Sequence, residues 1–425
     1  MGDAARWQEN ENPMKDKMRL LVCFNMANDG WSVVKGLRAL GEDAHLMLHR
    51  PAHVASLPQW EEAEIDVGKL GTDMNNPDWE ALNERWKMPD YVHVWDMRRS
   101  WYPFSRTIRS PFQLMQLAKY DIIIGHTPFA SFVPFYRLLR DNPYIIYDAG
   151  WIRYLHDANF PQCDSKAYRR AREGYKNAAT IFFTNVDTYD LFRSYGYPRD
   201  QLTYTPFAID MELYKPYVAN PNAVLVPQLL KKHDMVFFAP SRQNWKEKGN
   251  DRIIQAFARY INEGKRALLV MIEWAQKPNI IDKYDYMHLA REMIKELRIE
   301  DSVLWLPVMS KRELIKWYSL SDVVLDQFVF GALGTTTPEA MSCAKPVITY
   351  VEPGMWERCH GSVPPVANAH SSDDIYNKMV ELEDAATREE YGKRGREWIK
   401  KHCEMKLVAD FQRQICREVI SQWKK

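Results

Sequence analysis

Between Asp322 and Tyr350 the chain reads DVVLDQFVFGALGTTTPEAMSCAKPVITY: a buried strand (Val323 to Leu325), a loop of small residues, a short helix and a second apolar strand. Pro338 suits the first helical position and Thr337 the cap before it. Gly331, Gly334 and Thr335 then stand just outside a helix N-terminus, where backbone N–H groups and the positive end of the dipole favour an anion. Glu339 falls in the first turn, facing the loop. A phosphate suits such a place, and a carboxylate beside it accepts hydrogen bonds from sugar hydroxyls. The same residues also read as an ordinary strand, loop and helix with a dipole-friendly glutamate.

A second group of candidates opens the same half of the chain. MVFFAPSRQNWKEKGNDRIIQAFARYI starts as an apolar strand, Met235 to Ala239, and crosses a polar loop. It continues into a helix with Ile253, Ile254, Phe257, Ala258 and Ile261 on one face. Arg242 and Lys248 lie on the loop, at the carboxyl end of the strand, where open α/β sheets bind ligands. A guanidinium and an ammonium there would hold a diphosphate by charge-assisted hydrogen bonds; the plainer reading makes them solvated surface charges. In the first half, His126 closes the run from Asp121 to Gly125, at the carboxyl edge of a central strand. It is either a site residue or a satisfied histidine at a strand end.

These residues also carry a resemblance. Ser241-Arg242, then Glu247-Lys248-Gly249, then Gly334 and the run from Pro338 to Val347 resemble the motifs of the retaining GT-B glycosyltransferases of family 4. In that family a strand ending in G-R precedes E-K-G and a helix, and a later strand leads to E-G-F-G and E-A-M-A-C-G-K-P-V. IEDSVLWLPVMSKRELIKWYSLSDVVL is similar to the connecting stretch, with Ser310 and Glu313 fitting a capping box. The first half matches more loosely. MRLLVCFNMANDGWSVVKGLRALGEDAHLML reads as a Rossmann-like opening unit with a turn at Asn28-Asp29-Gly30, and YDIIIGHTPFASFVP resembles a family strand ending in His before a Pro loop. The overlap spans residues 18–423.

The resemblance implies a GT-B fold: α/β, two Rossmann-like domains facing across a cleft, with the last helix crossing back to the N-terminal domain. It implies catalytic roles for His126, Arg242 and Lys248, and a donor site made of Gly30, Arg242, Lys248, Gly334, Thr335 and Glu339. Glu339 would take the ribose hydroxyls, the base would lie near Val303 to Val308, and His126 would touch the donor sugar. The leaving diphosphate gains negative charge, so preorganised positive groups are the main catalytic resource. In the family the leaving phosphate is thought to take the acceptor proton, so no glycosidase-like carboxylate pair is expected. No D-x-D closes a strand where a metal diphosphate would need it, so neither a metal nor another cofactor is expected.

One departure matters. Gly331 stands where the family has a glutamate eight residues before Glu339, a group that normally contacts the donor sugar. Some members with Asp-Gln at the place of Asp326-Gln327 also lack that glutamate, which fits a variant subgroup. The readings left open are a retaining glycosyltransferase, a GT-B nucleotide-binding scaffold without transfer, and, less favoured, an epimerase or phosphorylase. No lysine is evident for the pyridoxal cofactor of a phosphorylase.

Composition agrees with that class. A chain of 425 residues exceeds one core and predicts two or three domains. The formal charge of +1, from 57 basic and 56 acidic residues, gives no reason to expect a nucleic-acid partner. Six scattered cysteines without C-x-x-C read as reduced thiols of a cytoplasmic protein. The expected layout is a polar lead-in (1–17) without a signal peptide, an N-terminal domain (18–213), a Pro-containing linker (214–234), a C-terminal domain (235–402) and a final helix (403–425). In that helix Val408, Phe411, Ile415, Val419, Ile420 and Trp423 form an apolar stripe. No apolar run reaches the roughly 18 residues of a membrane span. For the acceptor, Asp148 and Trp151 lie where the family lines that side. Residues 97–115 interleave Arg98, Arg99, Arg106 and Arg109 with aromatic residues; they read either as a surface for anionic lipid or as ordinary packing with solvated arginines.

Overall fold

The computed structural model describes residues 17–50, 52–65, 74, 77–96, 117–133, 142–158, 160, 163–217, 232–275 and 282–423. The lead-in over residues 1–16, the segment 97–115 and residues 218–231 of the expected linker lie outside them.

Short apolar runs dominate both halves. Ile122–His126, Tyr144–Asp148, Met235–Ala239 and Ala267–Ile272 are buried along their whole length. Strands covered on both faces read this way, as in parallel sheets sandwiched by helices. Among the described residues the first half forms β1 (Arg19–Cys23), β2 (Asp43–Arg50), β3 (Val92–Asp96), β4 (Ile122–His126), β5 (Tyr144–Asp148), β6 (Thr180–Phe183) and β7 (Leu202–Tyr204). They pair in parallel in the order β3-β2-β1-β4-β5-β6-β7. The second half forms β8 (Met235–Ala239), β9 (Ala267–Ile272), β10 (Val303–Leu306), β11 (Val323–Leu325), β12 (Val347–Thr349) and β13 (Ala367–Asn368). Its order is β10-β9-β8-β11-β12-β13, again parallel.

In each sheet the strand order reverses once, between β1 and β4 and between β8 and β11. Open α/β sheets take their ligands beyond the carboxyl ends of strands at such a switch point. Helix α1 (Asp29–Ala39) follows β1, α2 (Thr127–Ala130) follows β4 and α3 (Lys166–Lys176) leads to β6. In the second half α4 (Asn250–Asn262) follows β8, α5 (Lys311–Leu320) leads to β11 and α6 (Thr336–Ser342) joins β11 to β12. On α4, Ile253, Ile254, Phe257 and Ala258 are buried and Ile261 packs partly buried against the same core.

The chain groups into two compact units, residues 1–63, 72–208 and 405–425 in one and 64–71 with 209–404 in the other. The last helix, α7 (Met405–Trp423), therefore returns to the first unit. It crosses α1 closely: a Cβ on Gly36 would stand 2.6 Å from that of Ala409. The close crossing sets which face is buried, namely Val408, Ala409, Gln412 and Cys416. The expected stripe is thus displaced; Phe411, Ile415, Val419 and Ile420 are half-buried and Trp423 is exposed. Gln412 is buried because its Nε2 donates to Thr205 Oγ1 at 2.9 Å.

The capping box expected at Ser310 and Glu313 is not made. Ser310 Oγ accepts from Ile65 N at 3.0 Å, and Glu313 pairs instead with Lys316 at 2.7 Å. Among the described residues no helix is long and apolar enough to cross a membrane.

Candidate functional site

At the second sheet's switch point β8 and β11 run side by side, with Val324 opposite Phe238, so the residues after them converge. Asp326, fully buried, accepts from Ser241 Oγ at 2.6 Å and from Thr337 Oγ1 at 2.8 Å. One carboxylate thus ties the loop after β8 to the end of β11 and the start of α6. This bond also corrects the expected cap. With the Thr337 hydroxyl held by Asp326, α6 begins at Thr336, and Thr335 is its N-cap without a side-chain bond. Pro338 is then the third helical residue, and Glu339 remains in the first turn.

Lys248 Nζ donates to Gln327 Oε1 at 2.7 Å. A Cβ on Gly334 would stand 3.2 Å from that ammonium and equally close to Asp326 Oδ2, so the loop backbone lies against both charges. Arg242 Nη2 donates to Glu247 Oε2 at 2.6 Å, an oxygen that also accepts from Asn244 Nδ2 at 3.0 Å. The structure therefore brings Lys248, Gly334 and the Asp326-Gln327 pair together, with Arg242 on the same loop as Lys248.

Glu339 is 4% exposed and paired within the fold. Lys311 Nζ lies 2.5 Å from its Oε1, and the Tyr318 hydroxyl donates to its Oε2 at 3.0 Å. Burial first, and then the Glu339 charge, hold that phenol well above its ordinary pKa. Lys311 and Tyr318 were not candidates from sequence, because on a helix they read as one more surface lysine and one more core aromatic.

Gly331 has φ +69°, and a Cβ there would meet Glu352 Cβ at 2.8 Å and Glu352 N at 3.1 Å. Its carbonyl accepts from Glu352 N at 3.1 Å and Trp356 Nε1 at 3.0 Å. The backbone is folded to exclude a side chain, not merely to lack one. Gly331→Glu is therefore expected to cost about 1–3 kcal/mol for the left-handed backbone alone, with the contact against Glu352 added. It should lower the denaturant midpoint without raising turnover of any nucleotide sugar; a stable, faster variant would count against this geometry.

In the first unit, Gly30 lies in the first turn of α1, where a Cβ would stand 2.8 Å from Phe24 O. It lets the helix pack against the loop after β1. His126, 1% exposed, has its ring 4.6 Å from that of Tyr147, and neither of its ring nitrogens has a hydrogen-bond partner. Burial pushes its pKa down to about 3, so the imidazole is neutral. Asp148 is fully buried, accepting from Gly150 N at 2.7 Å, Ile152 N at 3.0 Å and Tyr175 OH at 2.6 Å. The Tyr175 hydroxyl lies 2.6 Å from Thr127 Oγ1. Asp148 ties the ends of β4 and β5 to α3. Trp151 is half-buried, edge-on to Tyr154 and Tyr168.

The neutral His126 gives a pH signature. Its folded pKa lies below the unfolded value of about 6.5, so the unfolded chain binds the extra proton as pH falls. Its contribution is intact above about pH 6.5 and is lost toward the folded value at about 1.4 kcal/mol per pH unit. Half-buried His156 and His360, both lowered to about 4, add slopes of the same sign. His126→Phe should flatten the loss of stability between pH 6 and pH 4.5 by one proton's worth in denaturant titrations; an unchanged slope would show that the imidazole charges in the folded state.

Among the described residues no three His, Cys, Asp or Glu side chains cluster to hold a metal ion. The stretch that holds Arg242, Lys248 and Glu339 has a counterpart elsewhere. Residues 226–398 are similar to the family Glycosyl transferases group 1. Comparison with curated proteins gave no match. Among solved structures the chain is similar to HepE of Anabaena in complex with UDP and glucose, at 16% identity and a TM-score of 0.66, over 94% of this chain and 99% of that one. It is also similar to sucrose-phosphate synthase of Thermosynechococcus elongatus, at 14% identity and 0.65, over 95% and 100%. Trehalose-6-phosphate synthase OtsA aligns at 13% identity and 0.59, over 94% and 99%. At such identities the likeness carries the fold, which is that of the GT-B glycosyltransferases.

Proposed function

We propose that the protein is a retaining glycosyltransferase that moves a sugar from a nucleoside-diphosphate donor to a hydroxyl of a glycan or lipid-linked acceptor. One observation carries this reading. Within the stretch similar to that family, the switch point places Lys248 against the Gly334 loop backbone, beside Asp326 and on the loop of Arg242. A diphosphate there meets fixed positive charge and the uncapped start of α6 at Thr335, which stabilise the charge on the leaving group as the C1–O bond breaks. Gln327 orients the Lys248 ammonium and Glu247 the Arg242 guanidinium, so little reorganisation is required as the leaving group departs. Glu339, held by Lys311 and Tyr318, presents its carboxylate to the ribose. His126, neutral and without a protein partner, would bond a hydroxyl of the donor sugar.

HepE has been solved with UDP and with UDP-glucose, which makes UDP-sugars the first donors to test. In this reading the positive charge is covalent, so no metal is needed. The test is a panel of nucleotide sugars assayed for release of nucleoside diphosphate, with and without excess EDTA. Slow hydrolysis of at least one donor, unchanged by EDTA, is expected. Loss of activity in EDTA restored by Mg²⁺ or Mn²⁺ would sink metal independence. Tight nucleoside-diphosphate binding with no turnover of any donor would make the protein a scaffold.

A further inference from the structure

Two histidines that take no part in the transfer chemistry meet in the amino half of the first sheet. His45 is the third residue of β2 and His93 the second of β3. His45 Nδ1 stands 2.9 Å from His93 Nε2, and the two ring planes lie within 11° of parallel. On its far side, His45 Nε2 stands 2.9 Å from Asp43 Oδ1. Other charged and titratable groups face the pair from each neighbouring element. Arg19 of β1 has its Nε 3.3 Å from Asp43 Oδ2, and Arg38 of α1 has its Nη1 3.9 Å from Oδ1. Tyr120, ahead of β4, is edge-on to His45 at 5.3 Å, with the Arg19 guanidinium over its ring at 5.1 Å. Asp90, ahead of β3, acts on His93 with the opposite sign to Arg19.

The order of acceptors fixes the protons. A carboxylate only accepts, so Nε2 of His45 carries a hydrogen. With His45 neutral, its Nδ1 is then a lone pair and receives the hydrogen of His93 Nε2. With His45 cationic, its Nδ1–H donates and His93 Nε2 is bare. Both arrangements put one hydrogen between the rings. Protonating both rings removes the last lone pair, so that two N–H groups on two cations face each other across 2.9 Å and the bond is lost. Burial, and after it the charges of His45 and Arg19, hold the His93 pKa below its ordinary value, against the pull of Asp90.

The bond fastens an edge. Among the described residues β3 pairs with β2 alone, and its Val94 is 38% exposed. Farther along β3 the buried Trp95 ring lies 5.5 Å from that of Phe132 and 6.4 Å from that of Phe24, so the strand also covers the bend that leaves β1. We propose that Asp43, His45 and His93 form a one-proton clasp that holds β3 on β2 and opens when both imidazoles are protonated, releasing β3 and Trp95 with it. The unfolded chain takes up both protons at about pH 6.5, whereas the closed clasp admits one. Closing is therefore favoured above that pH and lost as pH falls below it. The clasp does not depend on the transferase reading.

Hydrogen exchange on the full chain, read by mass spectrometry between neutral pH and about pH 5 and corrected for the intrinsic rate, tests it. In the wild type the peptide carrying β3 should lose protection by about tenfold per pH unit once the second proton enters, which is one proton's worth. The peptide carrying β5 (Tyr144–Asp148) should keep its own. His93→Gln replaces the ring by a carboxamide that donates to a neutral His45 and accepts from a cationic one, so β3 should stay protected across the range. His45→Gln, with one carboxamide atom toward Asp43 and the other toward His93, is the second variant and should behave the same way. By NMR the two wild-type imidazoles should titrate in two steps separated by more than about one pH unit, as coupled sites do. Protection of β3 that does not change with pH, or that falls in both glutamine variants as in the wild type, would overturn the clasp. So would an equal loss in β5, which would make the change global, or a single step for both rings.

Discussion

Arg242→Ala and Lys248→Ala should each slow sugar release from the active nucleotide donor by about 2–4 kcal/mol in transition-state terms, the scale of one preorganised charge contact to a developing anion. The two sites differ in how the loss should divide. Lys248 lies against the Gly334 backbone and is held by Gln327 at 2.7 Å, so its removal takes charge from the centre of the loop. The loss should fall mainly on kcat, with Lys248→Arg failing to restore it, because a planar fork does not fit where a compact ammonium sits. Arg242 shares its guanidinium with Glu247, so if a diphosphate binds at this loop Arg242→Ala would leave that carboxylate unneutralised beside it and should raise KM as well. Glu247→Gln then separates the effects: it should lower KM in the wild type and relieve part of the loss in Arg242→Ala. A loss below threefold in either single variant would remove that residue from the site.

Much of this site is legible in the chain because its pieces are local. The strands Met235–Ala239 and Val323–Leu325 are continuous apolar runs, and the loops after them begin where the runs stop. Parallel pairing then brings the ends of β8 and β11 together, so Arg242, Lys248 and Gly334 follow from strand order. What periodicity does not carry is the choice of distant partners. Ser310 and Glu313 have capping-box spacing, yet Ser310 bonds Ile65, 245 residues away. Thr337 looks like a cap but serves Asp326. In each case a short polar side chain had two chemically equal uses, and tertiary packing decided between them. The final helix shows the same limit. Its apolar residues mark a face, but the crossing at Gly36 selects the smaller side chain of Ala409 for the contact.

Lys311→Ala should destabilise the second unit by about 3–5 kcal/mol, because it leaves the Glu339 carboxylate buried without its cation. For a unit of this size that is a fall in Tm of roughly 6–20 °C. Glu339→Gln should cost less, about 1–3 kcal/mol, since Tyr318 keeps an acceptor and the ammonium it leaves behind is nearer the surface, at 14% side-chain exposure against 5%. Lys311→Met combined with Glu339→Leu should recover most of the stability, as matched apolar replacements of buried pairs do. That double variant separates structure from recognition. If Glu339 reads the ribose, the stable double variant still loses nucleoside-diphosphate affinity, by the same factor as it loses the nucleotide sugar. A 2′-deoxyribose diphosphate should bind the wild type equally weakly and show little further loss in Glu339→Gln. Calorimetry with the three ligands decides it: wild-type affinity for the diphosphate in the stable double variant would mean that Lys311, Tyr318 and Glu339 only hold α5 against α6.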